Sequence, residues 1–233
     1  MNARDFVAAI AVAALSACSS STGPSYNPDI PAAWATAVTN PYFPLPPGTV
    51  WRYRSDTPDG LETTITEVLS TTRTINRVVA TAVHDQVLLD GALIEDTEDW
   101  YAQDPEGNVW YLGENTREYE DGQVVSTAGS WEWGVNGALP GIIMWADPAA
   151  HVGEEYRQEF ARGEAEDFGK VVALDQSVTV PHGGFTGCLK TEDWNGLEPA
   201  VREYKYYCPV VGTVLESNLQ GEDRVELTDV TAP

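Results

Sequence analysis

Carboxylates placed around tight turns are the residues of this chain best suited to chemistry. Asp85, Glu95 and Asp99 flank the pair Asp90-Gly91. An Asp-Gly pair between apolar and β-branched runs favours a hairpin. Its register decides which side chains share a face, because a slip of one residue turns them all over. With a two-residue turn, Leu89 pairs with Ala92 and Asp85 faces Asp96, with Glu98 diagonal. With a three-residue turn and a glycine bulge, Leu88 pairs with Ala92, Asp85 faces Glu95, and Thr81 faces Asp99. Either register sets carboxylates against one another. Like charges opposed on a sheet destabilise it unless water, an arginine, a shared proton or a divalent cation compensates. A second hairpin, closed by Phe160 against Ala165, sets Glu159 opposite Glu166. Hard oxygen ligands on neighbouring strands suit Ca²⁺ better than zinc. Asp85, Glu95, Asp99, Glu159 and Glu166 are therefore candidate cation ligands, with solvated or arginine-paired carboxylates as the plainer alternative in so acidic a chain.

Aromatic residues form the other concentration. Trp100, Trp110, Trp131, Trp133 and Trp145 fall within 46 residues, together with Tyr101, Tyr111 and Tyr119. Such residues line a cavity or a sugar-stacking platform, or they fill the core of a curved sheet. Trp100, Trp110, Trp131 and Trp133 are the candidate ligand contacts. The sequence has no nucleophile elbow, phosphate-binding loop, dinucleotide glycine motif or paired-cysteine redox motif. His84, His151 and His182 are scattered. The enzymatic alternative is a glycan hydrolase built on the paired carboxylates, with no residue marked as the acid.

The elements that must position these groups are strands. β-branched and aromatic runs at about 49–55, 61–72, 77–89, 92–102, 108–112, 116–120, 123–127, 154–161, 165–180, 185–193, 201–208, 211–217 and 222–229 are separated by Gly, Asn, Asp and Pro. The short connections imply antiparallel neighbours in a meander. The expected fold class is all-β: one large antiparallel sheet curled into a barrel or half-barrel. A short helix is expected at Pro31–Val38, where proline suits the first helical position. Residues 134–153 read as an irregular loop with an apolar middle, long enough to serve as a lid, plug or docking segment.

The N-terminus carries an address. Phe6 to Ala14 is an apolar run too short to span a bilayer, followed by Leu15-Ser16-Ala17-Cys18 and a polar, turn-prone stretch. The tetrapeptide resembles the bacterial lipobox, which implies lipidation of Cys18 and removal of residues 1–17. Asp5 offsets Arg4, so the positive charge before the apolar run rests on the terminal amine. Residues 18–40 then form a tether and 41–233 a single β-rich domain. Ser19 after the cysteine resembles an outer-membrane signal in a Gram-negative host. With Cys18 lipidated, Cys188 and Cys208 remain as an even pair in an oxidising compartment. Each lies ten residues from position 198, inside the turn-prone Trp194–Pro199, so a hairpin there opposes them and favours a disulfide. The formal net charge of −23 comes from 36 Asp and Glu against 13 Lys and Arg, a balance that repels nucleic acid and anionic headgroups.

Asn40–Trp51, Asp99–Asp104, Gly107–Tyr111, Gly163–Asp167, Leu197–Pro199, Tyr206-Tyr207 and Val211-Gly212 resemble, in order, a group of uncharacterised bacterial secreted proteins and lipoproteins. Asp85, Glu95 and Asp99 match recurrent positions of that group, whereas Cys208 departs from its usual small residue. Pro44 to Tyr53 also resembles the first strand of LolA-like lipoprotein-carrier domains. The resemblance implies an envelope protein and assigns no reaction. The expected function is that of a lipid-anchored, non-enzymatic binding or interaction module for an apolar or amphipathic ligand or an envelope partner. A glycan hydrolase and a purely structural lipoprotein are the alternatives.

Overall fold

The computed structural model describes residues 26–232; Cys18 and the expected signal segment 1–17 lie outside the described residues. Among the described residues fifteen strands join one antiparallel sheet. They are β1 (Val50–Thr57), β2 (Gly60–Ile75), β3 (Val78–Leu89), β4 (Ala92–Gln103), β5 (Val109–Glu120), β6 (Gln123–Ser126), β7 (Trp131–Glu132) and β8 (Leu139–Met144). The second half holds β9 (Glu155–Arg157), β10 (Glu159–Phe160), β11 (Asp167–Val180), β12 (Gly183–Asn195), β13 (Arg202–Cys208), β14 (Gly212–Asn218) and β15 (Val225–Thr231). β1 to β5 and β11 to β15 form two meanders, and β1 pairs with β15 to join them. A sheet this wide twists and curls. β9 pairs with β11 at one edge, while β10 pairs with β8 at the other. Only Gln158 separates β9 from β10 along the chain. One stretch of chain thus holds both edges, and the sheet is curled without a continuous ladder closing it.

Curling gives the sheet an inner and an outer face. Trp51, Val68, Val83, Val171, Leu189, Val214 and Leu227 come from strands far apart in the sheet, yet they form one buried cluster. They can meet only across the inner face. Val38 and Leu45 from the N-terminal segment join them and make an apolar floor, with Phe43 packed against it. The Phe43 ring lies 5.1 Å from that of Tyr101 and 6.4 Å from that of Tyr207. A separate cluster, including Ile75, Ala82, Trp100, Trp110, Leu112 and Ile142, draws on neighbouring strands alone and lies on the outer face. Ile30 and Trp34 cover it.

Three local expectations change. Pro31–Val38 is irregular, with no helix; a helix so short needs tertiary support, and here the sheet takes its polar groups instead. Ala35 N donates to Gln103 O at 2.8 Å, and Thr39 N and Asn40 N donate to Gln103 Oε1. Residues 108–112 and 116–120 form one strand, β5, because Gly113 carries the chain through a bulge at φ +143°. A Cβ there would come within 2.5 Å of the Trp131 carbonyl oxygen, so only glycine fits. Residues 134–153 contain β8 and a short 3₁₀ turn, Pro148–His151. The apolar middle of that segment enters the sheet against β5.

Cys188 and Cys208 form a disulfide, with Cα atoms 4.1 Å apart. They extend the β12–β13 ladder one step beyond the Leu189–Tyr207 pair, the register expected from folding the chain about position 198. Both cysteines are buried in the inner cluster. The bridge closes a loop with a sequence separation of 20 and should stabilise the fold by about 3 kcal/mol. Neither cysteine should react with an alkylating agent in unreduced, denatured protein, and Cys208→Ala should lower the urea midpoint. Stoichiometric alkylation of both without reductant would show the bridge is absent.

Candidate functional site

Above the apolar floor, the inner wall is acidic. A bulge at Ile94 sets its first part. Leu89 pairs with Ala92 as in the two-residue-turn register, but between Leu93 and Glu95 the pairing slips by one residue. Asp85 then pairs with Thr97, and Val83 with Asp99. This is neither expected register. Asp85 lies diagonal to both Glu95 and Asp99, so the three share a face around Thr97. The bulge in β5 extends the wall in the same way. Tyr111 pairs with Tyr101 before it and Glu114 pairs with Asp99 after it, so both turn inward.

Further strands continue the wall. β10 supplies Glu159, β11 Asp167, β12 Asp193, and β14 Glu216, while β13 supplies Glu203 and Lys205. Their charges act on one another around the curl. Asp85 responds to Asp99, Glu114 to Asp99 and Asp167, Glu159 to Asp167 and Glu114, and Asp167 to Asp193. Glu216 responds to Glu203 and, across the gap, to Asp85. The groups therefore form a ring. Lys205 is the ammonium set among them, 3.1 Å from Glu203 Oε1 and 3.9 Å from Glu216 Oε1. Burial alone would lower its pKa; the two carboxylates overcome that and hold it charged.

Burial dominates the carboxylates as well. It pushes Asp85 up to about 7, with the Asp99 charge adding to it. Asp99 also rises to about 7 through burial, against the hydrogen bond that the Tyr111 hydroxyl donates to its Oδ1. Asp167 and Glu216 reach about 7 by burial, with Lys205 pulling both back. Burial and neighbouring charge, from Asp99 and Asp167 respectively, push Glu114 and Glu159 well up.

The hydrogen bonds separate this ring from an ordinary buried carboxylate. Asp104, 3% exposed, accepts from Asn108 N, Asn108 Nδ2 and Trp110 Nε1, which satisfies both oxygens and orders the turn. Glu159 is 5% exposed and Asp193 is 4% exposed. Glu159 Oε2, Asp193 Oδ1, Asp85 Oδ1 and Asp167 Oδ1 nevertheless accept no hydrogen bond from the protein. The other Asp193 oxygen accepts from Gln158 Nε2 at 3.0 Å. Gln158 reaches it over Gly169, where a Cβ would come within 2.8 Å of that nitrogen.

Of the expected cation ligands, Asp85, Glu95 and Asp99 share the wall, and Glu159 joins them from β10. Glu166 does not: its Oε2 pairs with Arg157 at 3.4 Å and its Oε1 accepts from Gly163 N. Asp167, the next residue, turns inward in its place. Among the described residues no three His, Cys, Asp or Glu side chains converge to hold a metal ion. The expected tryptophan platform divides similarly. Trp100 and Trp110 belong to the outer core, with Arg73 over the Trp100 ring, and Trp133 packs beside Trp34. Trp131 alone of the four adjoins the acidic wall, edge-on to Tyr111, and its indole partly offsets the shift of Glu159. Glu114, Asp167, Asp193, Lys205 and Glu216 were not singled out in the sequence. Strand alternation marks Asp193, Lys205 and Glu203 as sharing a face, whereas Glu114 is hidden by the bulge before it.

No protein-family model matches the chain, and no curated protein matches its sequence. One solved structure is similar over most of its length: the crystal structure of a "putative lipoprotein" from Parabacteroides distasonis. It is 13% identical, aligns over 82% of this chain and 98% of its own, and has a TM-score of 0.40. A superposition that loose does not establish a shared fold.

The raised carboxylates link stability to pH. Unfolded carboxylates titrate near 4, so between about 4 and 7 the folded state binds more protons than the unfolded chain. The contribution of these groups is therefore greatest at low pH and is lost as pH rises through about 7. In low salt, urea unfolding of the wild type should show stability falling from pH 5 to pH 8. Asp85→Asn should flatten that fall, and identical pH profiles for the two proteins would contradict the assignment.

Proposed function

We propose that this protein is a lipid-anchored component of the bacterial cell envelope, and that its curled sheet is a cup for a positively charged ligand. The anchor reading rests on Leu15-Ser16-Ala17-Cys18 and the apolar run before it. Ser19 supports an outer-membrane destination if the host is Gram-negative. The binding reading rests on one observation: inner-wall carboxylates that each keep one buried oxygen accepting no hydrogen bond from the protein, although Asp85 and Asp193 accept one at the other oxygen. A carboxylate oxygen held out of water without a donor costs several kcal/mol unless it is protonated or neutralised. A bound cation removes that cost at once.

The apolar part of the interior supports a cationic ligand over a purely apolar one. Val38, Leu45, Trp51, Leu189 and Leu227 fill it against one another. Lys205, Glu203 and Glu216 keep 27%, 22% and 29% of their side-chain surface exposed, so solvent reaches the acidic end. Binding also fits better than glycan hydrolysis. A glycosidase needs one carboxyl protonated and another ionised at the same pH. Here Asp85, Asp99, Asp167 and Glu216 are all pushed to about 7 and Glu114 and Glu159 are pushed well up, so none of these carboxyls is pulled down to serve as the ionised partner.

Two measurements test the reading. Cys18→Ser should move the protein from the membrane to the soluble fraction, because loss of the acyl chains removes stable anchorage. A wild-type protein that is already soluble and starts elsewhere ends the anchor reading. Native mass spectrometry of protein purified from its host should show a bound positively charged species that Asp193→Asn loses. Uniformly ligand-free wild type, or a species retained by Asp193→Asn, ends the cup reading.

A further inference from the structure

Resting on the cup reading, we propose that the inner acidic ring binds a linear polyamine, its separate ammonium groups taken by carboxylates on different strands and its alkyl spacers lying against the inner tyrosines. The ligand class follows from how the carboxylates are spread. They come one after another around the curl, from β3, β4, β5, β10, β11 and β12, and among the described residues no three of them converge as metal ligands do. A single small cation needs its oxygens gathered around one point. A chain of ammonium groups needs them distributed, and each ammonium donates up to three hydrogen bonds without a fixed coordination geometry.

Two acceptors show where ammonium groups would dock. Glu159 Oε2 and Asp193 Oδ1 are on side chains more than nine-tenths buried and accept no well-formed hydrogen bond, although the Trp131 indole acts on Glu159 and the Thr191 hydroxyl on Asp193 as neighbouring donors. They sit on either side of Asp167, whose charge acts on Glu159 and which itself responds to Asp193. Lys205 already occupies one place in the ring with the same chemistry, an alkyl ammonium between Glu203 and Glu216. The Tyr101 and Tyr111 rings, stacked at 4.8 Å, line the adjoining wall, with Trp131 5.5 Å from Tyr111. Aromatic faces favour both the methylene spacers and the cationic ends of such a ligand.

Thermal unfolding and calorimetric titration of the full chain carrying Cys18→Ser test this, with spermidine, butylamine, Ca²⁺ and Mg²⁺ as probes in 0.15 M salt. Saturating spermidine should raise Tm by roughly 5 °C, through preferential binding to the folded state. Butylamine and the two metal ions should each give less than about half of that shift, since one charge centre engages one part of the ring. Glu159→Gln and Asp193→Asn should each weaken spermidine binding about tenfold, the loss of one charge-assisted hydrogen bond. Both should remain folded without ligand, because each substitution keeps the side-chain shape and, at position 193, an oxygen for Gln158 Nε2. Glu166→Gln, outside the ring, should bind as wild type does. A shift with Ca²⁺ or Mg²⁺ equal to that with spermidine overturns the polyamine inference and leaves the cup reading standing. No shift with any probe overturns both. Undiminished spermidine binding in both ring variants also overturns the inference, by placing the polyamine elsewhere on the acidic surface.

Discussion

The curl of the sheet is the constraint on which the rest of the molecule depends. A flat sheet of this width would leave both faces open to water. Here β9 and β10, one residue apart, hold opposite edges, and β1 pairs with β15 to join the two meanders. Every strand then acquires an inner and an outer face, and side-chain parity assigns each residue to one of them. The inner face is the only place where Trp51, Val171 and Val214 can touch. The N-terminal segment serves both faces: Val38 and Leu45 complete the floor, while Trp34 covers the outer tryptophans.

Within that geometry, two bulges control the chemistry. The extra residue at Ile94 brings Glu95, Thr97 and Asp99 to the wall beside Asp85. The bulge beside Gly113 lets Tyr111 and Glu114 face the same way although they are three residues apart. A regular strand would have sent one of them outward. Bulges are found where a side chain has to be re-aimed, and here both re-aim carboxylates into the cup.

Holding those carboxylates inside works against folding, since burial and mutual repulsion both disfavour their charged forms. Among the described residues, only Lys205 stands among them as a neutralising ammonium, while Asp104 shows how the same chain satisfies a carboxylate that serves structure. An acidic interior with unused acceptor oxygens is the kind of local cost that natural proteins carry at functional sites. The apolar floor below the ring and the tyrosines beside it give the interior a gradient, greasy at the base and charged above.

Much of the architecture was legible from local signals. Turn pairs such as Asp90-Gly91 and Asp121-Gly122 mark the hairpins, alternation marks the strands, and the spacing of Cys188 and Cys208 about position 198 specifies their pairing. Those features depend on residues close together in sequence. The resemblance of Leu15–Cys18 to a lipobox is equally local, and those residues lie outside the described ones. Other features depend on partners far away. Pro31–Val38 has helical signals, but its Ala35 N donates to Gln103 O on the sheet, and Trp100 and Trp110 turn outward beneath Trp34. Glu166 and Asp167 exchange roles because Arg157 lies on the outer face. The sequence by itself determined an all-β meander, its disulfide and the presence of Asp85, Glu95 and Asp99 on one hairpin. Only the tertiary structure decided that carboxylates from strands on opposite sides of the sheet form one ring, because a bulge changes parity with little local signal and a curl brings together residues that no sequence spacing relates.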